Sequence, residues 1–91
     1  MAAWYYVYIL RSKKDGNLYV GRTMCLARRF QQHQRGENIS TAKRLPLQIL
    51  YFEGHRSPLD AARRERYLKS TKGHRMLRRV IRDTLQKSMP G

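Results

Sequence analysis

The feature that most limits the fold is a pair of strand-length apolar runs set close together near the start of the chain. Residues 4–10 and 18–22 are rich in β-branched and aromatic side chains, and Asp15-Gly16 lies in the short polar segment between them. Such side chains suit a pleated surface, and Asp-Gly accommodates the positive φ of a tight reversal. The two runs are therefore predicted to pair as an antiparallel hairpin. Thr23 then reads as the N-cap of a helix over 24–35, with Leu26 and Phe30 four residues apart and Gly36 closing it. Residues 36–46 are polar, carry Gly, Asn, Ser and Thr, and end on Pro46, the pattern of a basic loop. Residues 47–52 are apolar apart from Gln48 and predict a third strand buried on both faces.

Ser57-Pro58-Leu59-Asp60 has the form of a helix start, with Ser as cap, Pro in the first helical position and an acid in the first turn. That helix is expected to run to about Thr71, and Gly73 to separate it from a last one. In the last helix Met76, Leu77, Val80, Ile81, Thr84 and Leu85 make an apolar stripe, while Arg75, Arg78, Arg79 and Arg82 lie mostly off it. The tail 88–91 is expected to fray. The order is β-β-α-β-α-α: an α+β fold in which three helices flank a small three-stranded sheet with an N-terminal hairpin. With 91 residues the expectation is a single domain with its core over about 4–87, since separate cores need on the order of 100 residues each.

Charge narrows the function. The 20 Lys+Arg against 6 Asp+Glu give a net charge of +14, enough to bind nucleic acid through counterion release. Arginine dominates the basic residues, and its planar fork matches phosphate bidentately. A ribosome-associated protein or a basic membrane-surface binder shares this composition. No stretch of about 18 apolar residues exists to span a membrane. Cys25 is the only cysteine, so no internal disulfide forms, and a reducing, cytoplasmic setting is expected. His33, His55 and His74 are too far apart for a local zinc site, and the glycines form no phosphate-binding loop.

Polar residues that periodicity turns inward carry the remaining signal. Tyr6, Tyr8 and Leu10 share one strand face, Tyr5, Val7 and Ile9 the other, and Tyr19 and Gly21 share a face of the second strand. Tyr8 and Tyr19 are either ordinary aromatic strand residues or a pair with converging hydroxyls. Arg29 and His33 stack four apart on a helix, either as a snorkelling arginine beside a surface histidine or as a functional pair. Glu65 falls on the small apolar stripe of Ala61 and Leu68. It reads equally as an i, i+4 partner of Lys69, a clamp on a neighbouring arginine, or a ligand for a hard cation such as Mg²⁺. Two tyrosines, an arginine, a histidine and one carboxylate on a very basic domain match what phosphodiester cleavage requires.

The same residues resemble the GIY-YIG nuclease superfamily, most closely its small single-domain bacterial branch. Tyr6-Val7-Tyr8 stands where the family has Gly-Ile-Tyr, and Tyr19-Val20-Gly21 matches Tyr-Ile-Gly at the family's spacing. Gly21-Arg22-Thr23 with Leu26, Arg29 and His33 is similar to the next family block. Ala62-Arg63-Arg64-Glu65 with Lys69 is similar to the block bearing a metal-binding glutamate. The resemblance implies a metal-dependent DNA endonuclease, structure-selective or weakly sequence-selective, of the kind used in DNA repair or recombination. The alternative is a non-catalytic DNA or RNA binder retaining the fold. In the implied roles, Tyr8 is the base or orients water, Tyr19 supports it, Arg29 stabilises the phosphate, His33 relays a proton, and Glu65 holds a single Mg²⁺ or Mn²⁺. Arg22, Arg28, Lys43, Arg44, Lys69, Lys72, Arg75 and Arg79 are expected to grip the nucleic acid. The chain departs from the family pattern at Tyr6, and no Asn follows Asn38, where many members carry one beyond the glutamate.

Overall fold

The computed structural model describes residues 3–87. The hairpin forms as expected from β1 (Tyr5–Ser12) and β2 (Leu18–Thr23), with Tyr8 opposite Gly21 and Ile9 opposite Val20. Its reversal is held locally: Ser12 Oγ accepts from the amides of Lys14 and Asp15 at 3.1 Å, and Gly16 adopts φ 75°. That positive φ is the conformation a side chain would resist.

β3 (Leu47–His55) pairs antiparallel with the other side of β1, so the sheet order is β2-β1-β3. This corrects the expectation of a strand over 47–52 buried on both faces. β3 is an edge strand and runs on to His55, and its Phe52 is 53% exposed. β1 takes the centre instead, where Val7, Ile9 and Leu10 are fully buried. A short apolar run reports burial in general and cannot say whether one face or two is covered.

Helices cover the two faces separately. Val7, Ile9 and Val20 pack against α2 (Pro58–Lys69) and α3 (Thr71–Val80) through Ala61, Leu68 and Leu77. On the opposite face Tyr8, Leu10 and Leu47 meet α1 (Leu26–Gln34) through Leu26 and Phe30. The α+β order is thus established. Ser57 caps α2 as its sequence suggests, its Oγ accepting from the amides of Leu59 and Asp60.

Three boundaries differ from expectation. α1 begins at Leu26, because Thr23 Oγ1 accepts from the Cys25 amide at 3.1 Å and so closes a turn before the helix. Gly73 does not separate helices. It lies in the first turn of α3, where a Cβ would run into the carbonyl of Tyr67. The last helix breaks at Ile81 and resumes as α4 (Arg82–Lys87), leaving Val80, placed on the apolar stripe, 56% exposed. The described residues therefore hold four α-helices, with a 3-10 turn at Ala42–Arg44. The tail 88–91 lies outside the described residues. Among those described, no helix is long and apolar enough to cross a membrane.

Candidate active site

Tyr8 stands on the central strand, facing α1, and its register opposite Gly21 explains where its hydroxyl goes. A Cβ at Gly21 would overlap Tyr8 Cζ and Oη, so the missing side chain lets the phenol lie across β2 toward the sheet edge. There Tyr8 Oη lies 2.9 Å from His33 Nε2, and Arg29 Nε donates to the same oxygen at 3.4 Å. His33 Nδ1 lies 2.8 Å from Thr41 Oγ1, and Arg29 Nη1 donates to Gln32 Oε1 at 3.0 Å. The Tyr19 ring packs 5.2 Å from His33 and 6.4 Å from Tyr8, centre to centre.

Burial sets the protonation of this chain of groups. It raises the Tyr8 pKa, with the Tyr19 and Glu65 charges acting in the same direction and Arg29 opposing them. His33 is fully buried, and desolvation followed by the Arg29 charge lowers its pKa from 6.5 to about 4. At neutral pH the imidazole therefore carries one proton. Either Tyr8 donates to Nε2 while Nδ1–H donates to Thr41, or the imidazole donates to Tyr8 while Thr41 donates to Nδ1. Both arrangements link Tyr8 to Thr41 by proton-carrying contacts.

Glu65 reaches the same edge from the other side of the sheet. Arg22 is in register with Val7, on the face that α2 covers, and its Nε lies 3.4 Å from Glu65 Oε1. Lys69 Nζ lies 3.2 Å from Glu65 Oε2, and the carboxylate side chain is only 18% exposed. Arg22 also lines a groove of about 360 Å³ with Arg28, Arg29, Gln32, Thr23 and Cys25. Two helices on opposite faces thus bring a carboxylate and a buried hydrogen-bond chain to one strand edge, with arginines between them.

Residues 4–78 match the model described as the GIY-YIG catalytic domain. The chain belongs to the GIY-YIG family. It is similar to UPF0213 proteins: 38% identical to one from Streptococcus agalactiae serotype V, over 70% of this chain and 73% of that one. A Clostridium perfringens UPF0213 protein is 40% identical over 70% of this chain and 69% of its own length. The solution NMR structure of a UPF0213 protein from Bacillus halodurans superposes with a TM-score of 0.57 at 29% identity, covering 96% of this chain and 99% of that one. This GIY-YIG chain thus shares both sequence and fold with those small proteins.

Of the residues singled out from sequence, the fold joins Tyr8, Arg29 and His33 by hydrogen bonds and packs Tyr19 on them. Glu65 is linked through Arg22 and lies near enough for its charge to act on Tyr8. Arg22 and Arg28 line the groove. Lys69 is taken by Glu65, and Arg44 Nε by Asp15 Oδ2 at 3.2 Å. Lys43 is exposed in the loop, and Lys72, Arg75 and Arg79 are exposed on α3, away from the groove lining. Thr41 and Gln32 were not legible as site residues. Thr41 is fully buried in a stretch that reads as a solvated loop, and no periodicity marks it.

The donor set suits one hard cation. Among the described residues no three His, Cys, Asp or Glu side chains cluster, which disfavours an all-protein cage. A single recessed carboxylate, joined through Arg22 to an arginine-lined groove, suits a hard divalent cation such as Mg²⁺ or Mn²⁺, whose remaining ligands would be water and substrate phosphate. The two cationic partners of Glu65 are half-exposed side chains, 43% for Arg22 and 54% for Lys69.

Proposed function

We propose that this GIY-YIG chain is a metal-dependent endonuclease that hydrolyses phosphodiester bonds in DNA, selecting structure more than sequence. The Arg29–Tyr8–His33–Thr41 hydrogen-bond chain, ending beside a groove lined by three arginines, carries the reading. The scissile phosphate binds in that groove, where Arg29, with Arg22 beside it, neutralises the charge that builds on the phosphoryl oxygens. Tyr8 orients the attacking water, or takes its proton while passing its own to His33 Nε2. The neutral imidazole accepts it there in the tautomer whose proton sits on Nδ1, facing Thr41. Tyr19 packs the pair in place. The water oxygen bonds to phosphorus as the bond to the 3′ oxygen breaks, and the departing 3′ oxygen takes up a proton from solvent water. Glu65 would hold a divalent cation, which would supply charge neutralisation to the scissile phosphate. Exposed Lys43, Lys72, Arg75 and Arg79 give a sequence-blind grip. A single domain acting in the cytoplasm on repair or recombination intermediates fits this chemistry.

The pairing of both Glu65 oxygens with Arg22 and Lys69 favours one other reading, a DNA or RNA binder that keeps the fold without turnover. A cleavage panel over single-stranded, duplex, flap and junction DNA, with and without Mg²⁺ or Mn²⁺, separates the two. The nuclease reading expects metal-dependent cutting that Glu65→Ala or Arg29→Ala reduces by about 100-fold or more while binding persists. Cutting unchanged by both substitutions, or binding with no cutting of any substrate, refutes it.

A further inference from the structure

α1 covers only part of its sheet face. The core beneath it includes Tyr8, Leu10 and Leu47, with Tyr19, Leu26 and Phe30 packed around them, but the same face continues past Tyr8 toward the start of β1. There Trp4 is 45% exposed and Phe52 53% exposed, and the Tyr6 and Phe52 rings meet edge to face with centroids 6.0 Å apart. Gly54, opposite Tyr6, leaves the space these rings use: a Cβ on it would come within 3.2 Å of Trp4 Cε3 and 3.5 Å of Tyr6 Cε1. The Arg56 guanidinium lies 5.0 Å from the centre of the Trp4 ring.

We infer that this patch is a stacking subsite for unpaired nucleobases next to the phosphate held at Tyr8. Three observations converge on that occupant. Exposed aromatic faces beside an arginine are the chemistry that binds bases irrespective of sequence, the ring taking the base and the guanidinium taking the phosphate or the π face. The net charge of +14 disfavours acidic-poor protein partners and favours a polyanion. The patch is also continuous with the candidate site, since Tyr6 and Tyr8 are two residues apart on one strand face, roughly 7 Å and so about one nucleotide step. Arg56 is exposed and can pivot from Trp4 onto the phosphate of a base stacked at Phe52.

The inference rests on the nuclease reading for its neighbouring phosphate, and the test keeps the two apart. Trp4 is the only tryptophan, so its fluorescence reports on this patch alone. The full chain, in EDTA to prevent cutting, is titrated with oligothymidylate, oligouridylate, an abasic strand of equal length and a duplex, following both Trp4 emission and anisotropy of the labelled strand. Oligothymidylate or oligouridylate should change Trp4 emission in a saturable way, the difference between them telling whether DNA or RNA is preferred, and the abasic strand should not. Phe52→Ala should weaken binding of the base-bearing strand by roughly 5- to 100-fold and leave abasic and duplex binding unchanged. Phe52→Tyr, which keeps the ring, should bind as the parent does. Equal binding of abasic and base-bearing strands, or Trp4 emission that no strand moves, overturns the subsite. If Glu65-dependent cutting survives that result, the nuclease reading still stands.

Discussion

His33 makes the buried hydrogen-bond chain measurable through stability alone, without a substrate. Its pKa falls from 6.5 to about 4 because burial and the Arg29 charge both oppose the imidazolium. In the unfolded chain the same ring binds a proton as pH falls through 6.5, so between there and about pH 4 the unfolded state holds the extra proton. Stability must then fall on acidification. The His33 contribution is complete above the unfolded value and is lost progressively down to about 4. Each tenfold difference in proton affinity is worth roughly 1.4 kcal/mol, so the full window amounts to about 3 kcal/mol, a large part of what holds a small domain folded. Urea titrations at a series of pH values between about 7 and 4, run on the parent and on His33→Gln, isolate the effect from the carboxylates and from His55 and His74. Glutamine keeps hydrogen-bonding capacity toward Tyr8 and Thr41 but does not titrate. The parent should lose about 3 kcal/mol more than the variant across the window. Parallel pH profiles would refute the buried, neutral imidazole on which the proton-relay role depends.

Two glycines give further tests. Gly21→Ala places a methyl on the Tyr8 phenol, and displacing that hydroxyl from Arg29 and His33 should cut the cleavage rate about 100-fold, with duplex affinity unchanged in an anisotropy assay. Gly73→Ala drives a methyl into the Tyr67 carbonyl, a backbone group that cannot turn away. Urea denaturation should show a loss of about 3 kcal/mol or more.

What was legible in the sequence was whatever local chemistry decides. The hairpin follows from two β-rich runs and an Asp-Gly reversal, and the α2 start from Ser57 and Pro58, each a matter of a few neighbouring residues. Strand alternation also assigned Tyr8 and Leu10 to one face and Val7 and Ile9 to the other, as the two cores confirm. Long-range choices were hidden. Nothing in the run 47–52 says that β1 will take the central place, and so Phe52 was expected inside. Gly73 misleads because the same residue ends helices and lets backbones approach closely. Of the site, the spacing of Tyr8, Tyr19, Arg29 and His33 could be read, whereas Thr41 could not. Its role comes from a loop folding back over α1, which no period encodes.

The placement of β1 between two helical layers has an evolutionary side. Neighbouring residues of one strand answer to different demands: Val7 and Ile9 sit in the core shared with α2 and α3, while Tyr8 between them meets Arg29 and His33. Core packing and the buried hydrogen-bond chain thus alternate at single-residue spacing, on opposite faces of one backbone. Drift at Val7 or Ile9 would act first on how α2, and Glu65 with it, seats against the sheet, whereas drift at Tyr8 would act on the hydrogen bonds to α1, so a lineage could alter the two faces by separate steps along the same eight residues.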